Sequence, residues 1–311
     1  MVYLFLAIIV AAVSSSVIKR LSIPQVDNDV ASEVILGVKH DDGSGLPPIF
    51  VDRGGALDAP EYTLAAFREA KNKGAFGVVF ELSFTWDNFA VIFHGDTLER
   101  TTNGRGRMAD IRFDDLRLLD AAHRHPLAQR YRGERVPTLE EGVEECLQLG
   151  MRIIIHVRKY DARIVGVIDQ MFRERPELYL RALVASVYPD IVYELRLRNP
   201  QIVTALTWKP GLLAYEDTNN TLRRFESHAA TLMATVADWL FEKVLHVGLL
   251  PYVTGVSAVV ISSNVLSTEY VRTWRSHGVH VIACTSNRPG EENFLRDVLR
   301  VPIITDTMRH E

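Results

Sequence analysis

The sequence lacks the features that identify several large classes of protein. Its 311 residues contain only two cysteines, Cys146 and Cys284, so it has no disulfide framework; two free thiols are the simpler interpretation, although a single pairing is possible. The formal charge is −4, so an excess of Lys and Arg is absent and we expect no nucleic-acid partner. No Gly-x-Gly-x-x-Gly motif follows the first apolar run, which argues against a dinucleotide-binding sheet.

The N-terminus has no charged residue before Lys19 and is strongly apolar. This run, MVYLFLAIIVAAVSSSVI, is long enough to span a bilayer as a helix, and its most apolar part also suits a secretory signal peptide. We therefore expect residues 1–18 to be an anchor or a cleaved signal. The chain would then be membrane-associated in the secretory pathway, in the endoplasmic reticulum, plasma membrane or vesicles. The polar residues 19–47 predict a linker to a domain over 48–311.

From residue 48 onward, short apolar runs alternate with amphipathic helical segments. Several runs are apolar throughout, which is typical of strands covered on both faces. This α/β alternation favours a single (β/α)8 TIM-type barrel over an open doubly wound sheet. The predicted strands are 48–51, 77–82, 90–93, 152–157, 182–187, 202–206, 258–262, 279–284 and 302–304.

Residues 229–262 include a stretch without Asp, Glu, Lys or Arg, VLHVGLLPYVTGVSAVVIS. Its length alone would allow a second membrane span. Pro251 and the glycines at 248 and 255 favour instead an apolar helix that runs into a buried strand. A surface that touches the bilayer is the third interpretation.

Several predicted strands are followed by side chains that can carry chemistry, at the end of the barrel where such enzymes place their active sites. An imidazole titrates near neutrality, so His94 is the best candidate for proton transfer. Arginine offers charged N–H groups that match phosphate oxygens, so Arg53 and Arg158 predict a phosphorylated ligand. The full set is Asp52, Arg53, Glu81, His94, His156 and Arg158.

Each of these signals also has a structural interpretation. Asp52 and Arg53 could form an ion pair at a strand end. Glu61 lies three residues after Asp58, which is the spacing of a helix capping box. His156 lies inside an apolar run and could be a hydrogen-bonded core histidine. The spacing of the residues leaves both interpretations open.

Four stretches carry a family resemblance: DRGGALDAPEYTLAAFREA, GAFGVVFELSFTWDNFAVIFHGDTLERTTNGRG, VPTLEE and IITDTM. They resemble the glycerophosphodiester phosphodiesterase family over roughly residues 48–308, and TALTWKP is similar to its animal membrane-associated branch. The resemblance implies a (β/α)8 barrel that cleaves glycerophosphodiesters into glycerol phosphate and an alcohol. It also implies two histidines for proton transfer and a divalent cation, of the Mg or Ca type, on three carboxylates.

The resemblance fails at the positions that carry this chemistry. Asp52 stands where the family has a catalytic histidine, whereas His94 keeps the second one. Val79 and Gly95 stand where the family has acidic residues, and a valine has no lone pair for a hard cation. Loss of one of two proton-transfer groups typically costs about 10²–10⁴-fold in rate.

The metal positions that the resemblance implies fall on Glu61, Glu81 and His156. A histidine in place of a carboxylate removes a negative charge and suits softer metals such as zinc. We therefore expect a divalent metal to bind weakly or not at all, with a zinc-like metal as the alternative.

These departures lead to three hypotheses. In the first, the chain is a catalytically inactive or strongly impaired family member. It binds a glycerophosphodiester or lysophospholipid-like ligand through Arg53 and Arg158, or an unidentified protein partner, at a membrane surface. In the second, it is an active phosphodiesterase with a rebuilt metal site. The third is a barrel with an unused pocket.

The second hypothesis assigns specific roles to the same residues. Asp52, Glu81 and His156 would hold a zinc-like metal, His94 would be the acid and base, and Glu61 would assist. Three such ligands with one open position would meet the requirement of a catalytic zinc site.

Overall fold

The computed structural model describes residues 16–37, 45–216 and 220–309. Its centre is a closed barrel of parallel strands, in which β1 pairs with β2 on one side and with β10 on the other. The barrel predicted from the strand–helix alternation is therefore confirmed. The barrel strands are β1 (Ile49–Asp52), β2 (Gly77–Phe80), β5 (Arg152–Val157), β6 (Ala182–Ser186), β7 (Val203–Trp208), β8 (Ala258–Ser262), β9 (His280–Cys284) and β10 (Ile303–Thr305).

Helices follow most of these strands and cover the barrel from outside. The α-helices are α1 (Asn28–Leu36), α2 (Leu64–Asn72), α3 (Phe113–Leu116), α4 (Leu139–Gln148), α5 (Arg163–Glu174), α6 (Pro189–Arg198), α7 (His228–His246), α8 (Leu249–Thr254), α9 (Thr268–Ser276) and α10 (Pro289–Asn293). Short 3₁₀ helices form at Leu98–Arg100, Met108–Asp110, Pro176–Leu180 and Ser263–Val265, and a π-helix at Phe294–Val298.

Local sequence explains where α4 begins. The Thr138 hydroxyl accepts a hydrogen bond from the Glu141 backbone N–H at 3.1 Å, and the Glu141 carboxylate accepts one from the Thr138 N–H at 2.9 Å. This reciprocal capping box satisfies two N–H groups that a helix start would otherwise leave unpaired.

The barrel strands divide their side chains between two faces, because successive residues of a strand point to opposite sides. Phe50, Val79, Ile154 and Leu183 pack together in the barrel interior, whereas the alternate residues pack against the helices. The register aligns Val79 with Ile154 and Ile154 with Leu183. The residues two positions further along each strand therefore also point inward, at the end where the strands finish.

One predicted strand lies outside the barrel. The run 90–93 forms β4 (Ala90–Ile92), which pairs antiparallel with β3 (Leu82–Phe84) in a separate hairpin. The predicted strand 77–82 is interrupted at Glu81, which separates β2 from β3. This interruption lets the chain leave the barrel, and the hairpin then returns His94 to the strand ends.

The interpretation of residues 19–47 as a linker is wrong for residues 28–36. These residues form α1, whose Asp27 cap accepts a hydrogen bond from the Asp29 N–H at 2.9 Å. Its buried residues Ala31, Val34 and Ile35 pack with the barrel interior. Arg152, the first residue of β5, donates to the Glu33 carboxylate of α1 at 2.5 Å. The helix therefore closes the end of the barrel at which the strands begin.

The apolar stretch within 229–262 forms the end of α7, then α8, then β8. Left-handed backbone at Gly248 (φ 81°) and Gly255 (φ 64°) separates the three elements. The prediction of an apolar helix that runs into a buried strand is confirmed. Across residues 16–37, 45–216 and 220–309, no helix is both long and apolar enough to cross a membrane. The predicted anchor or signal segment, 1–18, lies outside the described residues except for its last three positions.

Candidate functional site

Strand alternation brings four polar side chains into the barrel interior at the carboxyl ends of the strands. Asp52 ends β1, Glu81 follows β2, His156 lies near the end of β5 and Thr207 near the end of β7. Asp52 and His156 are each only 2% exposed and Glu81 is 7% exposed. The structure brings the predicted residues Asp52, Glu81 and His156 together at one end of the barrel, and Thr207 joins them there without having been predicted. We call this end the mouth.

Arg158 lies at the centre of this group. Its Nε–H donates a hydrogen bond to His156 Nδ1 at 3.1 Å and lies 3.3 Å from Glu81 Oε1. Its Nη2 lies 3.8 Å from Asp52 Oδ2. Burial alone would lower the pKa of Arg158, but the carboxylates of Glu81 and Asp52 raise it above its ordinary value. The guanidinium is therefore a permanent cation between two acids and an imidazole.

The same contacts give the two carboxyl groups different pKa values. Burial would raise the pKa of Glu81, but its hydrogen bond with His94 and the charge of Arg158 lower it to about 2. At Asp52, burial outweighs the attraction of Arg158 and Arg53 and raises the pKa to about 6. Glu81 is therefore a fixed anion at neutral pH, whereas Asp52 titrates close to the range of a histidine.

His156 has both ring nitrogens engaged. An arginine can only donate, so Nδ1 accepts from Arg158 and the ring proton is on Nε2, which donates to Thr207 Oγ1 at 2.9 Å. Burial and the neighbouring guanidinium lower the pKa of His156 to about 3, so the ring is neutral. This is the geometry of a hydrogen-bonded core histidine, one of the two interpretations of the sequence.

His94 has the geometry of a proton-transfer group. Glu81 is ionised and can only accept, so His94 Nδ1–H donates to Glu81 Oε2 at 2.7 Å. The ring is 31% exposed, and Nε2 makes no hydrogen bond with the described residues. A carboxylate that fixes the tautomer and leaves Nε2 at the mouth is the arrangement of a general acid or base.

The capping-box interpretation of Asp58 and Glu61 is wrong. The N-cap of α2 is Thr63, whose hydroxyl accepts from the Ala66 N–H at 3.1 Å. The Asp58 carboxylate instead accepts from Lys73 Nζ at 2.7 Å, and from the Met308 and Arg309 region near the C-terminus. Asp58 thus ties the end of the chain to the loop after β1.

Glu61 points to the mouth and is held by two arginines. Its Oε2 lies 3.5 Å from Arg53 Nη1, and its Oε1 is hydrogen-bonded to Arg100 Nη2. Arg53 also lies 3.6 Å from Asp52 Oδ2, so the predicted ion pair between these neighbours is present. Arg53 is a loop residue with left-handed backbone (φ 57°), which turns its side chain back over the strand end.

Tyr62 is a site residue to which the sequence assigned no role. Its ring is 3% exposed, and its hydroxyl is buried without a hydrogen-bond partner. Burial, followed by the charges of Glu81 and Asp52, raises its pKa well above the ordinary value, so the hydroxyl keeps its proton. The available signal was its position directly after Glu61, where the family has an asparagine. Further buried polar atoms without hydrogen bonds at this end are Asp52 Oδ1, Arg53 Nε and Glu81 Oε1.

A cleft of about 520 Å³ lies beside the mouth. One of its walls is Asn287, whose amide donates to Asp306 Oδ2 at 2.8 Å; Asp306 is close enough to raise the pKa of Asp52. His125, which the sequence interpretation missed, donates from Nε2 to the Ala56 carbonyl at 3.3 Å and accepts from the Leu127 N–H. The lining residues are Ala56, Leu57, His125, Pro126, Leu127, Asn287, Pro289, Thr307 and Arg309.

The donor set at the mouth does not fit a magnesium or calcium ion. Glu81 is shared between His94 and Arg158, His156 offers no lone pair, and Glu61 is held by arginines. Val79, at a position where the family has an acid, is packed in the interior. Within the described ranges, no three His, Cys, Asp or Glu side chains lie where they could share one ion. Glu81, His156 and Glu61 therefore do not form the grouped metal site that the resemblance implies.

The model of the glycerophosphoryl diester phosphodiesterase family matches residues 53–310 of this sequence. The chain belongs to this family. It is 36% identical to glycerophosphodiester phosphodiesterase 1 of Bos taurus over 256 residues, which are 82% of this chain and 76% of the relative. The human protein of the same name is 34% identical over the same length and the same shares.

Solved structures of the family share the fold. A putative glycerophosphoryl diester phosphodiesterase from Silicibacter pomeroyi superposes with a TM-score of 0.66 at 20% identity, over 89% of this chain and 94% of the other. A phosphodiesterase from Oleispira antarctica, in complex with the product sn-glycerol-3-phosphate, superposes with a TM-score of 0.61 at 22% identity. The match covers 85% of this chain and 94% of the other. At these identities the likeness shows the barrel alone.

The raised pKa of Asp52 predicts a change in stability with pH. An acid whose pKa rises from 3.8 to about 6 on folding contributes stability below pH 3.8, which is lost as the pH rises through about 6. Asp52→Asn removes this loss, so the free energy of unfolding of the variant, relative to the native protein, should increase by on the order of 3 kcal/mol between pH 4 and pH 7.5. Urea denaturation at both pH values measures the difference.

The matched control is Asp110→Asn, because the Asp110 side chain is 63% exposed and lies away from the mouth. Because exposed ion pairs contribute little to stability, its difference from the native protein should change between the two pH values by much less than that of Asp52→Asn. A pH-independent difference for Asp52→Asn would contradict the assignment of a buried, titrating carboxyl at the end of β1.

Proposed function

We propose that this chain binds a glycerophosphodiester at the mouth and that its capacity to hydrolyse the ligand is strongly impaired. The observation that carries the proposal is the pair of half-buried guanidinium groups, Arg53 and Arg158, whose terminal N–H groups face the mouth. Their ion pairs are long, 3.5 to 3.8 Å at the terminal nitrogens. None of the described side chains accepts a hydrogen bond from these nitrogens, so they can donate to phosphate oxygens.

Buried polar atoms that make no hydrogen bond would complement the glycerol part of such a ligand. Asp52 Oδ1 is an acceptor without a hydrogen bond, Glu81 Oε1 has only the 3.3 Å ion pair with Arg158 Nε, and the Tyr62 hydroxyl is a donor without a partner. Buried polar groups that lack partners are uncommon in folded proteins, and one physical reason for them is a ligand. Donors for a phosphate beside acceptors for hydroxyl groups match a glycerol phosphate. The product bound to the Oleispira antarctica phosphodiesterase supports the same class of ligand.

The adjacent cleft extends this ligand beyond the phosphate. Leu57, Pro126, Leu127 and Pro289 give it an apolar lining, and Arg309 gives it one cation. A lysophospholipid-like molecule would place its apolar group there and its phosphate at the mouth. The chemistry shared by both candidate ligands is a phosphodiester that carries glycerol.

The impairment follows from the groups that remain. His94, oriented by Glu81, is one proton-transfer group, and Asp52 replaces the histidine that the resemblance implies as the second. The rebuilt metal site of the alternative hypothesis requires a lone pair on His156, and both nitrogens of that ring are engaged. These two observations favour binding over turnover.

Arg53→Ala should weaken the binding of sn-glycerol 3-phosphate by about 10- to 100-fold, because hydrogen bonds to charged groups contribute about 1.5–3 kcal/mol each. Isothermal titration calorimetry measures the dissociation constant. Arg68→Ala is the matched control, because Arg68 is 53% exposed on the side chain and pairs with Glu145 on the outer surface. Equal dissociation constants for the two variants would contradict a phosphate site at Arg53.

Hydrolysis of glycerophosphodiesters by the native protein, tested with Mg, Ca, Mn and Zn in turn, should not exceed that of the His94→Ala variant. The reason is that proton transfer by His94 alone leaves the reaction without its second catalytic group. Release of glycerol phosphate is the measurement. Turnover by the native protein that disappears in His94→Ala would contradict the impairment and favour an active enzyme.

We also propose that this site works at a membrane surface, on a chain that enters the secretory pathway. Support comes from an exposed face of α7, which we call the apolar α7 surface: Leu232, Met233, Val236, Trp239 and Leu240. Their spacing places them on one side of the helix. Met233 is 74% exposed and Trp239 is 59% exposed, so this side has no partner within the described chain.

The apolar α7 surface continues toward the N-terminal segment. Beyond α7, Val247 and Tyr252 are also exposed. Next to Tyr252, the Val253 carbonyl accepts a hydrogen bond from the Ile23 N–H at 3.0 Å. The described chain therefore runs beside this surface at Ile23, and a lipid bilayer would contact the surface.

Brominated acyl chains quench a tryptophan that inserts at their depth. With phosphatidylcholine vesicles, Trp239→Phe in the full chain should remove most of the bromine-dependent quenching, because Trp239 is at the centre of the apolar α7 surface. Trp86→Phe is the control, since Trp86 is equally exposed (60%) but lies by the β3–β4 hairpin. Quenching that survives in Trp239→Phe and falls in Trp86→Phe would contradict docking through α7.

A further inference from the structure

We infer that the Arg158 guanidinium takes the place of the divalent cation that the family fold implies, so that the mouth binds its phosphate ligand without a metal ion. This inference rests on the proposed function and adds the source of the positive charge. It concerns Arg158 itself, which the sequence predicts only as a phosphate-binding residue.

The first argument is the identity of the groups that Arg158 contacts. Two of the three positions that the resemblance assigns to metal ligands are Glu81 and His156, and both touch this one guanidinium, at 3.3 Å and 3.1 Å. The third, Glu61, is held by Arg53 and Arg100. Each of these three residues is therefore paired with an arginine, and the Val79 position offers no ligand atom.

The second argument is the direction of the Arg158 side chain. Arg158 directly follows β5, which ends at Val157, and its contacts with His156 and Glu81 show that its side chain turns toward the barrel interior. From there the planar guanidinium donates a hydrogen bond from Nε to His156, and its Nη2 approaches Asp52. A lysine has a single point charge and cannot address two separate groups through different nitrogens.

The third argument is charge. The Arg158 side chain is only 31% exposed, and it is surrounded by carboxylates that keep it protonated. A metal ion between Glu81 and His156 would lie against this guanidinium and be repelled by it. A phosphate at the mouth would instead be attracted, and the remaining N–H groups of Arg158 could donate to it.

Calorimetric titration of the full chain with Mg, Ca, Mn and Zn chlorides tests the inference directly. The native protein should show no saturable heat of metal binding that disappears in the Glu81→Gln variant. Arg158→Ala frees Glu81, Asp52 and His156 Nδ1, so this variant should bind Mn or Zn. Adding Glu81→Gln to the same variant should abolish that binding. Arg198→Ala, on α6 with an exposed side chain paired to Glu194, is the matched control and should behave as the native protein.

The same proteins are then titrated with sn-glycerol 3-phosphate in EDTA and in each metal. The native dissociation constant should differ by less than about 3-fold among these conditions, whereas Arg158→Ala should weaken binding by at least 10-fold in EDTA. Arg158→Lys keeps the positive charge and is a more conservative change. Its dissociation constant for sn-glycerol 3-phosphate should lie between those of the native protein and Arg158→Ala. Circular dichroism confirms that each variant is folded.

The outcomes distinguish a failure of the inference about Arg158 from a failure of the proposed ligand binding. A native protein that binds one divalent cation through Glu81, or that binds sn-glycerol 3-phosphate only with a metal, would overturn the inference and leave the proposed function standing. A folded native protein that binds no sn-glycerol 3-phosphate under any condition would overturn the proposed function. In that case the gain of metal binding in Arg158→Ala would still decide whether the guanidinium occupies the cation position.

Discussion

The ion pair and hydrogen-bond cluster around Arg158 is the constraint on which the rest of the mouth depends. One guanidinium contacts Asp52, Glu81 and His156, which lie at or directly after the ends of β1, β2 and β5. It fixes the tautomer of His156 and helps to keep Glu81 ionised, and Glu81 in turn orients His94. Removal of the cation would leave Asp52 with only the long ion pair to Arg53 and Glu81 with only His94, and a buried carboxyl group with too little counter-charge is costly in a protein interior. Arg158 therefore influences the protonation of Asp52, Glu81 and His156, together with burial and the hydrogen bond from His94.

The barrel does not depend on this cluster. The inner layer of Phe50, Val79, Ile154 and Leu183 is apolar and lies below the mouth. At the other end α1 closes the interior, and at the C-terminus Asp58 binds the Met308 backbone. These contacts explain how a chain can keep the family fold while the residues at the strand ends change.

The sequence predicted the barrel because two periodicities dominate it, the apolar strand runs and the helical pattern between them. It also predicted which residues meet at the mouth, because the ends of parallel strands converge. It failed for α1, whose short apolar face of Ala31, Val34 and Ile35 lies between polar segments of the chain. It failed again at Asp58 and Glu61, whose spacing fits a capping box while tertiary ion pairs hold both side chains elsewhere.

The arrangement of Arg158 could not be read from the sequence. Its long side chain can point in many directions, and its partners lie on strands that become neighbours only when the barrel closes. The unpaired hydroxyl of Tyr62 is hidden for the same reason. Residues that act through distant contacts are visible only in three dimensions.

The most direct measurement is a crystal structure of the chain grown with sn-glycerol 3-phosphate and manganese chloride, with anomalous data collected at the manganese edge. The account predicts a phosphate bound between Arg53 and Arg158, and no anomalous peak within coordination distance of Glu81. A manganese peak on Glu81, with Arg158 displaced from the site, would contradict it.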